Sequence, residues 1–170
     1  SPLDFIPIAE NNRMILPIGE WVLHNACKEL KLWHKKGFDD LCMSVNLSAK
    51  QLEQKDLVER IAAILKTLPL DPRCLELELT EAELFQNDAI LVFNQLTQMG
   101  ISLAIDDFGT GYSDFCNLKL FQIDKIKIDK IFIQDIDAST ESRNIVCNTI
   151  ALTKSMNIKC LAEGVETPEQ

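Results

Sequence analysis

The sequence predicts an α/β fold built on a parallel sheet. Three observations carry that expectation. Segments of strand character alternate with segments of helical periodicity along the chain. The strand segments put polar residues at every second position. Their polar groups also gather late in each strand. A (β/α)₈ barrel and an open doubly wound sheet both satisfy the alternation, with right-handed crossovers. An antiparallel sheet with one wet face alternates similarly, but the intervening helical segments suit crossovers better than hairpins.

The elements follow in order. Ile18, Val22, Ala26, Leu30 and Trp33 keep helical spacing, which predicts a helix over 18–36 stopped by Gly37. CMSVNLS, residues 42–48, is a strand. Ser48 with Gln51 forms a capping-box pattern before a helix through Leu57, Val58, Ile61 and Leu65, broken by Pro69 and Pro72. LELELTE, residues 75–81, is a strand. Asn87 to Met99 is helical and ends at Gly100. ISLAID is the third strand, followed by a short helix within 113–120. KIKID, residues 125–129, is the fourth. Ser139 to Asn157 is helical, and KCLAE, residues 159–163, is the fifth strand.

Composition bounds what such a fold does. The 170 residues are 46% hydrophobic and 25% charged, enough apolar material for one domain. The net charge of -9 makes long DNA or RNA a poor partner, since polyanion binding needs basic patches. A small phosphorylated ligand remains open if a cation bridges it. The six cysteines form no C-x-x-C pair and read as buried free thiols, ahead of a disulfide framework or zinc site. That usage points to a reducing, cytoplasmic setting. No signal peptide or membrane-spanning run is present, which leaves membrane attachment of a longer parent open.

The polar positions suggest the chemistry. Leu75, Leu77 and Leu79 share one strand face, while Glu76, Glu78 and Thr80 share the other. Ile126 and Ile128 oppose Lys125, Lys127 and Asp129. Val45 and Leu47 oppose Ser44 and Asn46. Helices covering the apolar faces would leave the polar faces around a wet interior. Asn46, Glu78 with Glu81, Asp106 with Asp107, Lys127 and Glu163 fall at or near five successive strand ends. In βα barrels those ends share one rim, where active sites form. The inward face at Ala162 and Glu163 is ambiguous.

Gathered carboxylates repel and raise one another's pKa values, and divalent cations remove the conflict. Hard ions such as Mg²⁺ favour carboxylate and amide oxygens, and Asn46 would suit such a shell. His24 and His34 lie in the first helix pattern and read as surface or partly packed residues, which argues against a His-based zinc site. Asp106 and Asp107 would point to opposite faces of a regular strand, but a turn permitted by Gly109 and Gly111 would bring both to one cluster. Alone, the pair reads as a solvated loop start. With the other strand ends it suggests two cations suited to phosphodiester displacement. Lys127 would orient water, or pair with Asp129 or Glu78. The two glycines lack the context of a Rossmann loop or P-loop.

The ordered strings FIPIAE, PIGEWVL, SVNLSAKQL, LELELTE, IDDFGTGYS, DKIKIDKIFI and AEGVET resemble the EAL-type cyclic di-GMP phosphodiesterase domain. The resemblance spans nearly the whole chain. It implies a TIM-like (β/α)₈ barrel that hydrolyses cyclic di-GMP to linear pGpG with Mg²⁺ or Mn²⁺ at a two-metal site. It implies that Asn46, Glu78 and Asp106 are metal ligands, with Asp107 a ligand or partner of the second ion. Lys127 resembles the water-orienting lysine, and Glu163 the carboxylate that supports the site through water. Glu81 resembles the glutamate that steadies DFGTGYSD, a loop thought to couple ligand binding and dimerisation to the metals. A homodimer, and a parent carrying sensory or diguanylate cyclase domains, are further implications. Asp114 stands where the family carries serine. The family's Glu-Ala-Leu strand and its distal Gln-Gly segment are not in the sequence; Glu81-Ala82-Glu83-Leu84 is a different element. A closed barrel needs about 250 residues. Residues 1–170 are therefore expected to be one EAL-type domain fragment, with about five of eight strands, inactive by itself. A receptor or interaction module that holds the nucleotide without cleaving it is the alternative.

Overall fold

The computed structural model describes residues 1–81, 89–110, 118 and 121–170. The chain forms two compact units, Ser1–Glu78 with Gln86–Ser102, and Leu79–Phe85 with Leu103–Gln170.

The first unit opens with helix α1, Pro2–Asn11, which the sequence pattern did not predict. Its start is held locally: the Ser1 hydroxyl donates to the Asp4 carboxylate at 2.9 Å. Leu3, Phe5 and Ile8 remain exposed, so the helix lacks the single buried stripe that periodicity detects. Helix α2, Ile15–Lys35, begins before the expected Ile18 because Pro17 lies in its first turn, where a missing N–H costs nothing. Leu23, Cys27 and Leu30 face inward, and Gly37 ends the segment at φ 91°.

Strand β1, Met43–Asn46, runs parallel to β2, Leu75–Thr80, with Met43 beside Leu75 and Asn46 beside Glu78. The helix expected between them is two helices, α3, Ala49–Leu52, and α4, Leu57–Thr67. The predicted cap is present: the Gln51 N–H donates to Ser48 Oγ, and Ser48 N–H donates back to Gln51 Oε1 at 3.1 Å. Leu57, Ile61, Ile64 and Leu65 form the inner face of α4. A 3₁₀ turn at Pro72–Cys74, capped by Asp71, feeds β2. Helix α5, Ala89–Gln98, closes the unit, while the expected start at Asn87 lies outside the described residues.

The second unit carries β3, Ser102–Phe108, β4, Lys125–Ile128, and β5, Lys159–Ala162. They pair in parallel, β3 with β4 and β4 with β5. Short α6, Lys130–Gln134, escaped the sequence pattern and is capped by Asp129. Helix α7, Thr140–Met156, turns off through Asn157 in the left-handed region. Ile128, Ile133 and Val146 form a buried cluster, with Phe132, Ile136 and Ile150 packed on it. The helix expected within 113–120 lies outside the described residues except at Leu118.

Two expectations are corrected. The polar face of β2 is not wet, because Glu76 and Glu78 are both buried; Glu76 accepts a 2.8 Å hydrogen bond from Ser44 Oγ of the neighbouring strand. The described cysteines are free, but only Cys27 is buried. Cys42, Cys147 and Cys160 are exposed: Cys42 precedes β1, Cys147 points away from the buried side of α7, and Cys160 lies on β5, which is exposed throughout. Cys116 lies outside the described residues.

Candidate metal centre

In the first unit, Asn46 and Glu78 share the last rung of β1 and β2. Register partners on parallel strands project to the same face. The ladder continues one bond further, from the Leu47 N–H to the Glu78 carbonyl at 2.8 Å, which fixes the strand ends against each other.

In the second unit the sheet is irregular where the aspartates lie. Ile105 pairs with Ile126 and Phe108 with Ile128. Between those rungs β3 has Asp106 and Asp107, whereas β4 has only Lys127. Two residues against one is a β-bulge, which re-aims side chains and increases local twist. Asp107 itself takes the left-handed conformation, φ 51°, which Asp tolerates better than most residues. Its N–H donates to Asp106 Oδ1 at 3.1 Å, and its carbonyl accepts from Thr110 Oγ1 at 2.9 Å. The expected turn is thus made by Asp107 with Gly109, at φ 100°; Gly111 lies outside the described residues.

The bulge brings oxygens from Asp106, Asp107 and Glu163 within 4.8 Å of one another. Glu163 arrives through the sheet ladder, its N–H donating to the Ile128 carbonyl at 3.1 Å. That settles the ambiguity at the end of β5: Glu163 faces the aspartates. Lys127 Nζ lies 3.0 Å from Asp106 and 2.7 Å from Glu163. Lys127 and Asp106 are 12% and 15% exposed, so water screens this pair less than a surface pair.

The electrostatics follow from this crowding. Burial, then the charges of Asp106, Asp129 and Glu163, hold the Asp107 carboxyl above the usual carboxylate range; Lys127 pulls it back. Asp107 is an exposed residue, so the like charges are the steadier part of that push. Three hard oxygen donors without histidine or thiolate fit Mg²⁺ or Mn²⁺ rather than a soft ion. Glu81, just past β2, is buried. His24 is exposed and His34 lies near the Leu41 carbonyl, its Nε2 at 2.9 Å, so neither belongs to this cluster.

Two contributions were missed from sequence. Asp129, expected only as a partner of Lys127, adds charge against Asp107 while capping α6. Gly164 follows Glu163 at φ 70°, and a Cβ there would stand 2.6 Å from Lys130 Cβ. The glycine in AEGVET was the available signal.

The EAL domain family model matches residues 1–170. The chain belongs to the EAL domain family. It is 41% identical over 172 residues to the bifunctional diguanylate cyclase/cyclic di-GMP phosphodiesterase MucR of Pseudomonas aeruginosa, covering 100% of this chain and 25% of MucR. A solved structure of the PaMucR phosphodiesterase in complex with c-di-GMP superposes with a TM-score of 0.95 and 38% identity, over 99% of this chain and 69% of that one. The manganese/cy-diGMP complex of Klebsiella pneumoniae BlrP1 superposes with a TM-score of 0.75 and 30% identity, over 87% of this chain and 39% of that one. The EAL chain spans 21% and 25% of the length of two curated relatives it matches. Its α/β fold with five parallel strands is that of the TIM-barrel-like EAL domains. Among the described residues, no helix is long and apolar enough to cross a membrane.

Proposed function

We propose that this EAL chain is part of a metal-dependent phosphodiesterase that hydrolyses cyclic di-GMP to linear pGpG. The observation that carries the proposal is the bulge that turns Asp106 and Asp107 toward Glu163. Adjacent strand residues normally diverge, so their convergence needs a cause, and a shared cation is a sufficient one.

Asn46, Glu78, Asp106 and Asp107 would hold two Mg²⁺ or Mn²⁺ ions. Bound there, the ions would polarise the phosphodiester and make a bound water acidic. Lys127, held between Asp106 and Glu163, has donors to orient the attacking water and offset charge developing on the phosphate. Glu163 fixes the Lys127 ammonium and supports the site through water. Glu81 steadies the loop 107–114. The domain would work in the cytoplasm as a homodimer, within a parent carrying sensory or diguanylate cyclase domains. Residues 1–170 form a single EAL-type domain fragment in this proposal. They contain no Glu-Ala-Leu strand and would not turn over substrate alone.

A second reading, a receptor that binds cyclic di-GMP without cleaving it, draws on one observation. Lys127 already neutralises part of the carboxylate charge through two ion pairs. Assay of the full-length parent with Mg²⁺ and cyclic di-GMP, watching for pGpG, separates the two. Product formation abolished by Asp106→Ala supports hydrolysis. Tight nucleotide binding without product supports the receptor and overturns the enzyme.

A further inference from the structure

We propose that Cys42 and Cys74 form a redox-responsive dithiol, closed to a disulfide by exchange with a low-molecular-weight disulfide. The register places them together: Met43 pairs with Leu75, and the two cysteines are the residues immediately before that rung. Cys42 precedes β1 and Cys74 closes the 3₁₀ turn before β2. The Met43–Leu75 rung beside them, with strands about 4.7–4.9 Å apart, starts both segments within the Cα range of about 4.4–6.8 Å that a disulfide spans. The Cys42 thiol lies within hydrogen-bonding reach of Cys74. Cys42 Sγ approaches the carbonyl of Arg73, the residue before Cys74, at 3.8 Å. The two thiols therefore converge from neighbouring chain segments at the start of β1 and β2. Further along the same strands, Asn46 and Glu78 share a rung.

The exposures divide the roles. Cys42 is exposed and Cys74 only partly so, which makes Cys42 the attacking thiol and Cys74 the resolving one. Burial first, then the neighbouring Cys42 and Asp71, raise the Cys74 thiol, so its thiolate grows with rising pH. In the first step the Cys42 thiolate attacks one sulfur of the small disulfide. A mixed disulfide forms and one small thiolate leaves. In the second, the Cys74 thiolate attacks the Cys42 sulfur and expels the other small thiolate. The protein gives up two electrons and two protons; the small disulfide takes them up as two thiols.

The test treats the full-length protein with oxidised glutathione under native conditions, blocks the remaining thiols, and maps peptides by mass spectrometry. The expected result is a peptide pair joined through Cys42 and Cys74, reversed by reduced glutathione and absent from Cys42→Ser. Two outcomes overturn the proposal in a protein with native circular dichroism. One is separate glutathione adducts, or free thiols, at Cys42 and Cys74. The other is a cross-link of either residue to Cys147 or Cys160 instead.

Discussion

Asp106 and Asp107 together occupy the space opposite Lys127, two residues of β3 against one of β4. A regular strand would send one carboxylate to each face. The bulge sends both to the face where Glu163 arrives, and Lys127 bonds to Asp106 and Glu163 from the middle strand. The second unit thus concentrates negative charge on a framework of three hydrogen-bonded strands. Such a framework holds donors more precisely than a loop does.

The first expectation concerns pH. The Asp107 carboxyl sits above its usual range in the folded chain. A raised carboxyl pKa favours the fold at low pH, and that benefit is lost as pH rises through the folded value. Without divalent cations, Asp107→Asn should therefore flatten the fall in melting temperature between mildly acidic and neutral pH. Asn also tolerates the left-handed backbone. Asp107 is exposed, so the gain at neutral pH should stay below about 1 kcal/mol after solvent screening. A steeper fall in the variant would contradict this.

Gly164 gives a backbone test of the centre. Its φ of 70° strains any side chain, and an added Cβ would overlap Lys130. Gly164→Ala should cost ~1–3 kcal/mol in urea unfolding. The strain falls on the residue after Glu163, so metal affinity of the parent should drop with stability. An unchanged unfolding midpoint would remove Gly164 from the centre's framework.

Thiol labelling checks the correction made to the cysteines. Burial pushes the Cys27 thiol up to about 11 and shields it, so it should resist alkylation at pH 8. Cys147 and Cys160 are exposed and should react first. Rapid labelling of Cys27 in the folded chain would mean α2 is more open than its packing implies.

All five strands and the longer helices were legible in the sequence because their periods are regular. Helices α1 and α6 were not: α1 leaves Leu3, Phe5 and Ile8 exposed, and α6 is too short to show a period. The candidate residues were legible from their places at strand ends. Their geometry was less so. A bulge is a property of two strands, and Asp-Asp carries no mark of how many residues lie opposite. The burial of Glu76 likewise depended on Ser44, which is 32 positions away and adjacent only through the register.

The isolated 170 residues should hydrolyse cyclic di-GMP far more slowly than the parent. The Glu-Ala-Leu strand is not among them. Single-turnover assay of residues 1–170 beside the parent checks this, and comparable rates would refute it.

Counting bound Mn²⁺ by electron paramagnetic resonance, on the full-length parent with cyclic di-GMP present, reaches the centre most directly. Two ions per EAL domain are expected in the wild type, with at least one lost in Asp107→Asn. Saturation with no ion, or an unchanged count in the variant, would mean that these aspartates converge for some purpose other than holding metal.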